Sequence, residues 1–152
     1  MNLHQMLQDH SSEIIAEATE SMRRSHIKHY ESAGPEHTRQ RLKALYVLTV
    51  RAVKEKNLGP MIAHVETIAH ERFASGFDLW EVQTAFNVLE EAIWGRILKE
   101  LTPPDYAEAL GLVSTVLGAG KDTLARQYVS LASKIKAPSL NLQSLFTGTE
   151  GS

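Results

Sequence analysis

The stretch Ser75-Gly76-Phe77-Asp78-Leu79-Trp80-Glu81 separates two runs of helical periodicity and decides how the chain is parsed. Gly76 stands where a helix ends in a left-handed residue, a conformation that costs glycine nothing because it lacks a Cβ. Asp78 follows as an N-cap. Glu81, three positions on, is spaced to reach back to the free N–H of residue 78 and complete a capping-box pattern, with Asp in the place of Ser or Thr. From there Leu79, Val82, Phe86, Leu89, Ile93 and Ile97 step by 3, 4, 3, 4 and 4, which predicts a helix from Asp78 to about Leu101. Trp80, Trp94 and Leu98 lie beside that stripe and broaden it.

Working upstream, Pro60 opens a helix whose stripe is Met61, Ile62, Val65, Ile68, Ala69 and Phe73, after a stop at Asn57-Leu58-Gly59. Pro35 opens another, to about Lys56, with Leu42, Leu45, Tyr46, Thr49, Val50 and Val53 in register. Proline suits the first helical turn, where its missing N–H has no partner to lose. Before it, Leu3, Met6, Leu7, Ile14, Ile15, Ala18 and Met22 predict a helix from about Leu3 to Tyr30. Polar His10 and Ser11 interrupt its face, so that helix bends or begins later, near Ser11 or Ser12.

Downstream, Thr102-Pro103-Pro104-Asp105 restarts the chain. Tyr106, Leu110, Val113, Leu117, Gly120, Leu124, Gln127 and Leu131 alternate steps of 4 and 3, as a coiled-coil seam does. A helix to about Lys134 is expected. Leu110, Val113, Leu117, Leu124 and Leu131 are its candidate self-association residues, and a homodimer is expected. Gly111, Gly118 and Gly120 each cost roughly 1 kcal/mol against Ala in a helix. They either admit a close neighbour or break the helix near Gly118-Ala119-Gly120. Strand-type alternation is essentially missing. The expectation is an all-α fold: a helical bundle of about five helices with two long C-terminal ones, one domain over residues 1–136. A flexible tail follows over 137–152, in which Leu140, Leu142, Leu145 and Phe146 form a candidate docking segment for a partner or for the bundle itself.

Composition bounds the chemistry. The 152 residues suit one domain, with 43% hydrophobic and 22% charged side chains. There is no cysteine, which excludes disulfides, thiolate catalysis and cysteine-held zinc or iron–sulfur centres. Lys plus Arg number 16 against 18 Asp plus Glu, a net charge of −2, so a grip on nucleic acid through phosphates is not expected. The first half, with Arg23, Arg24, Lys28, Arg39, Arg41 and Lys43, is mildly basic. No secretory leader and no membrane-length apolar run is visible, so a cytoplasmic protein without membrane contact is expected.

The candidate chemistries are thin. Seven histidines invite a metal reading: His26 and His29 are three apart, and of His64, Glu66 and His70 only the last two have helical ligand spacing. Neither Glu-x-x-His nor His-Glu-x-x-His occurs. His70-Glu71-Arg72 matches the surroundings of a phosphorylated histidine over three residues only. Glu90 and Glu91 point about 100° apart on a helix and form no dyad. Gly118-Ala119-Gly120-Lys121 has the wrong spacing for a phosphate loop. No catalytic residue, cofactor or metal ligand is assigned, and no enzyme is expected. The rival reading is a small-ligand or haem sensor with a globin-like fold, in which His64 or His70 would be the axial ligand.

Residues His64 to Ile97 nevertheless carry a resemblance. A helix ends near Arg72, turns at Gly76, and resumes with Leu79, Val82, Ala85, Leu89 and Ile93 in register. This resembles the N-terminal domain of RsbT co-antagonist proteins of the RsbRD type, over roughly Ile14 to Leu131. The resemblance implies an all-helical input or scaffold domain in bacterial signalling and stress-response regulation, of a kind that precedes a STAS or histidine-kinase module. It supplies no catalytic residues. The expectation is a free-standing sensor or adaptor whose partner is a separate STAS, switch-kinase or histidine-kinase protein.

Overall fold

The computed structural model describes residues 1–139, with side chains to residue 135. Its elements are α1 (Leu3–Asp9), α2 (Ser11–Arg24), α3 (Lys28–Ala33), α4 (Pro35–Glu55), α5 (Gly59–Ala74), α6 (Leu79–Glu100) and α7 (Pro103–Ser139). The described residues are thus all-helical, as expected, but in seven helices rather than about five.

The difference lies in the first segment, which is three helices and not one. At His10 the backbone leaves helical geometry (φ −112°, ψ 19°), so α1 and α2 meet at an angle there. The second break is at Ser25-His26-Ile27. Ser25 Oγ donates back to the Ser21 carbonyl at 2.8 Å, His26 takes φ +51°, and Ile27 is extended. That turn carries Ile27 into the core, where it is 2% exposed. Burying an isoleucine side chain contributes roughly 1.5–3 kcal/mol, enough to offset a left-handed histidine. Gly34, at φ +93°, then joins α3 to Pro35 at the start of α4.

The remaining boundaries fall close to expectation. Lys56, left-handed at φ +55°, ends α4, and Asn57 Oδ1 accepts the Gly59 N–H at 3.0 Å as α5 begins. α7 packs against α5 and α6, while α2 packs against α6 and α4. Tyr46 on α4 donates its buried hydroxyl to the Leu7 carbonyl, giving α1's last turn a partner for one of its free acceptors. Arg96 ties α6 to α2 through Glu13 at 2.7 Å.

α7 is unbroken through Gly118-Ala119-Gly120. Gly120 is the close approach: a Cβ there would stand 2.6 Å from Cε1 of Phe86. Gly118 and Gly111 have nothing within 4 Å. The helix also continues to Ser139, past the end expected at about Lys134. Its 4–3 seam is filled from within the chain: Val113, Leu117 and Leu124 are fully buried in the bundle core, and Leu110 and Leu131 are half-buried. Trp80, Trp94 and Leu98, expected to broaden the apolar surface of α6, stand in solvent at 58%, 39% and 54% exposure. Among the described residues no helix is long and apolar enough to cross a membrane.

Candidate functional site

The Gly76 turn is tied to three other parts of the chain. The Gly76 N–H donates to the Phe73 carbonyl at 3.1 Å and the Phe77 N–H to the Arg72 carbonyl at 2.9 Å. With Gly76 at φ +86°, these bonds make a complete Schellman end for α5. The Phe77 carbonyl is in turn held by the Tyr128 hydroxyl of α7 at 2.9 Å. Burial pushes the Tyr128 hydroxyl up to about 12, so it remains a donor throughout the ordinary pH range.

Glu81 completes the turn from the other side. Its Oε1 accepts from the Asp78 N–H at 2.9 Å, the expected capping-box bond. His29 Nδ1 reaches both of its oxygens, at 2.9 and 2.8 Å, linking α3 to the start of α6. Glu81 is 3% exposed. Burial pushes its carboxyl up, but the Asp78 N–H and then His29 outweigh that and hold it below the ordinary range.

Phe77 itself points inward and organises a cluster. His29 lies across its ring at 4.7 Å and Tyr30 meets it edge-on at 5.4 Å. Two guanidinium groups stand over the same ring, Arg41 of α4 at 5.5 Å and Arg72 of α5 at 5.7 Å. Such contacts are worth about 0.5–2 kcal/mol each. Both arginines line a cleft of about 260 Å³ between α4 and α5. Tyr30 and His64 face into it too, with α6 behind through Val82, Ala85 and Phe86. His37, Gln40 and Glu71 form its exposed rim.

The electrostatics of this cleft are unbalanced. Arg41 has no carboxylate within ion-pair distance among the described residues. Arg72 has only Glu71, at 3.5 Å and largely in solvent. Arg41 Nη1 and Arg72 Nε are buried without a hydrogen-bond acceptor among those residues. Burial, and then the charge of Arg72, pulls the Arg41 guanidinium down from its ordinary value. Burial lowers His64 as well, with Arg72 acting the same way and Glu71 opposing. Tyr30 is pushed up by burial, against the pull of the two arginines. The cleft is a set of donors seeking an acceptor, with an apolar wall behind it.

The residues singled out from sequence fall elsewhere. Leu140, Leu142, Leu145 and Phe146 lie outside the described residues. Among those described, no three His, Asp or Glu side chains converge as a metal site. His70 and Glu66 are exposed, whereas His64 is half-buried in the cleft wall. Lys121, in the glycine-rich stretch of α7, donates to Asn87 at 3.1 Å and lies 3.6 Å from Glu90, which turns inward while Glu91 faces out. Sequence reasoning missed the Arg41–Arg72 pair. Its trace was there: Arg41 is four before Leu45 and Arg72 three after Ala69, so each sits on the packed side of its helix.

Neither the curated proteins nor the solved structures offer a match. The family described as the RsbT co-antagonist protein rsbRD N-terminal domain matches residues 9–132. That span takes in α2 to α6, the whole cleft and α7 past Tyr128. The chain therefore belongs to the RsbRD N-terminal domain family, a signalling-related domain of the Rsb partner-switching system.

Proposed function

We propose that the chain is a non-enzymatic sensor or adaptor module of bacterial stress signalling, cytoplasmic, acting by protein–protein contact and working as a homodimer. The observation that carries this reading is the outer face of α6. Trp80 and Leu98 are 18 positions apart, five turns of helix, so they share one angular position, and Trp94 stands one turn before Leu98. Exposed apolar side chains that adjoin one another mark interaction surfaces, and Trp94 and Leu98, four positions apart, are neighbours on this face. A two-fold axis crossing α6 midway between them would set Trp80 of each copy against Leu98 of the other, as an isologous interface requires. With Val113, Leu117 and Leu124 inside the bundle, this face replaces the α7 seam as the contact proposed between copies.

Light scattering at micromolar concentration tests the proposal. A dimer is expected for the unaltered chain and a monomer of equal helicity for Trp94→Ala with Leu98→Ala. A monomeric unaltered chain rejects it. The output partner would be a separate STAS, switch-kinase or histidine-kinase protein. Leu145→Ala with Phe146→Ala, assayed for capture of that partner, tests the docking segment. A second reading, a small-ligand sensor, is favoured by the α4–α5 cleft. Its haem version predicts a Soret shift on adding haem, abolished by His64→Ala.

A further inference from the structure

We propose that the cleft between α4 and α5 binds a small organic anion, its carboxylate or phosphate head held by Arg41 and Arg72 and its apolar body lying against α5 and α6. This names the ligand class for the small-ligand reading and rests on that reading. It is independent of dimerisation.

The surface arginines set the standard of comparison. Arg23, Arg39, Arg51 and Arg126 each meet a carboxylate one turn away on their own helix, at 2.5, 2.9, 3.0 and 3.0 Å. Among the arginines of the described residues, only the two in the cleft depart from this pattern: Arg41 has no carboxylate within ion-pair distance and Arg72 has only the exposed Glu71. There two guanidinium groups from different helices face one cavity, and each keeps an N–H buried without an acceptor. The acids nearby do not close the account. Glu81 is committed to His29 and the Asp78 N–H, and Glu71 reaches only one nitrogen of Arg72, at the rim. The Phe77 ring offers its face but no lone pair to an N–H. A buried donor left unmade costs about 1–3 kcal/mol, more when it is charged, so an acceptor entering the cleft relieves two such groups and the repulsion between them.

The shape of the donor set selects the ligand. Guanidinium forks match the paired oxygens of carboxylate and phosphate. Leu45, Ile68, Ala85 and Phe86 give the rest of the cleft an apolar wall, which favours an anion with a hydrocarbon body over a bare inorganic ion. At about 260 Å³, the space is just below the roughly 300–1,000 Å³ of drug-sized pockets and suits a small acid.

The test is titration calorimetry and thermal melting of the full chain at fixed ionic strength. The probes are benzoate, phenyl phosphate, inorganic phosphate and the neutral analogue benzamide. Saturable binding of benzoate or phenyl phosphate is expected, one per chain, with benzamide and inorganic phosphate at least tenfold weaker. The order of the first two identifies the head group. Arg41→Met and Arg72→Met should each weaken binding at least tenfold. If Arg72→Met does not fold, Arg41→Lys decides, because it keeps the charge and loses the fork. Any of three results overturns the proposal: benzamide binding as well as benzoate, potassium chloride raising the melting temperature as much as benzoate does, or Arg41→Lys and Arg41→Met leaving affinity unchanged. No uptake of any probe at millimolar concentration overturns it too. Light scattering on the same samples reports dimerisation separately, so failure of one proposal leaves the other readable.

Discussion

The α6–α7 interface and the α4–α5 cleft both use the Phe86 side chain and differ in their charge and closeness of packing. On one side of its ring α7 closes to contact at Gly120, and Leu89, Leu117 and Leu124 fill the layer with no measurable exposure. The same ring lines the α4–α5 cleft, where Arg41 and Arg72 face one cavity. Where both helices offer apolar stripes, the facing side chains are fully buried. Where an arginine stands on the packed side of each helix, the backbones cannot close without burying bare charge, and space remains.

Five substitutions would break or sharpen that contrast. The largest effect is expected at Leu117→Ala, about 2–5 kcal/mol of lost stability from the cavity it leaves. Urea unfolding at two protein concentrations checks it. A cost that grows with concentration would place Leu117 between copies and contradict the filled interface. Gly120→Ala should cost about 1–3 kcal/mol by overpacking against Phe86, outweighing the gain in helix propensity of up to about 1 kcal/mol. A neutral result would mean that the ring yields into the cleft, making the two regions one soft unit.

Glu81→Gln should cost about 1–3 kcal/mol, since it weakens the bond to His29 while leaving an oxygen for the Asp78 N–H. The folded carboxyl titrates below its ordinary range, so the unfolded chain takes up the proton first. Its contribution is complete above about pH 4.3 and is lost as the pH falls below that value. Melting curves from pH 6 to pH 3 should show a shallower acid slope in the variant. Gly118→Ala, with nothing within 4 Å of the new methyl, should gain up to about 1 kcal/mol. The same change therefore has opposite signs two residues apart. The smallest effect is expected at Arg41→Met, a shift within about 0.5 kcal/mol of zero, because lost contact with Phe77 and Tyr30 is offset by removal of a charge beside Arg72. A loss of several kcal/mol there would show that the cleft is as tightly built as the α7 side.

The helices from Pro35 onward were legible because their ends are written locally, in Pro35, Gly59-Pro60, Gly76-Phe77-Asp78 and Thr102-Pro103. The break at Ser25-His26-Ile27 was not, since it has neither glycine nor proline and is stabilised by where Ile27 ends up. Periodicity placed Val113 and Leu117 on one face of α7 but could not say whether that face meets its own chain or another. The exposure of Trp80, Trp94 and Leu98 was not legible for the same reason: an apolar side chain beside a stripe carries no mark of which side the neighbours occupy. The cleft depends on Arg41 and Arg72, 31 positions apart, meeting over the Phe77 ring. Only the tertiary arrangement brings them together.

α7 stays fastened to the Gly76 turn as far as Tyr128, and beyond it Val129 and Ile135 are each 64% exposed. An α-helix rises about 1.5 Å per residue, so the stretch from Tyr128 to Ser139 is an arm about 16 Å long. Rocking about that fulcrum by about 10° would sweep its tip through about 3 Å. Any change of angle at Tyr128 is therefore largest at the far end of this rod.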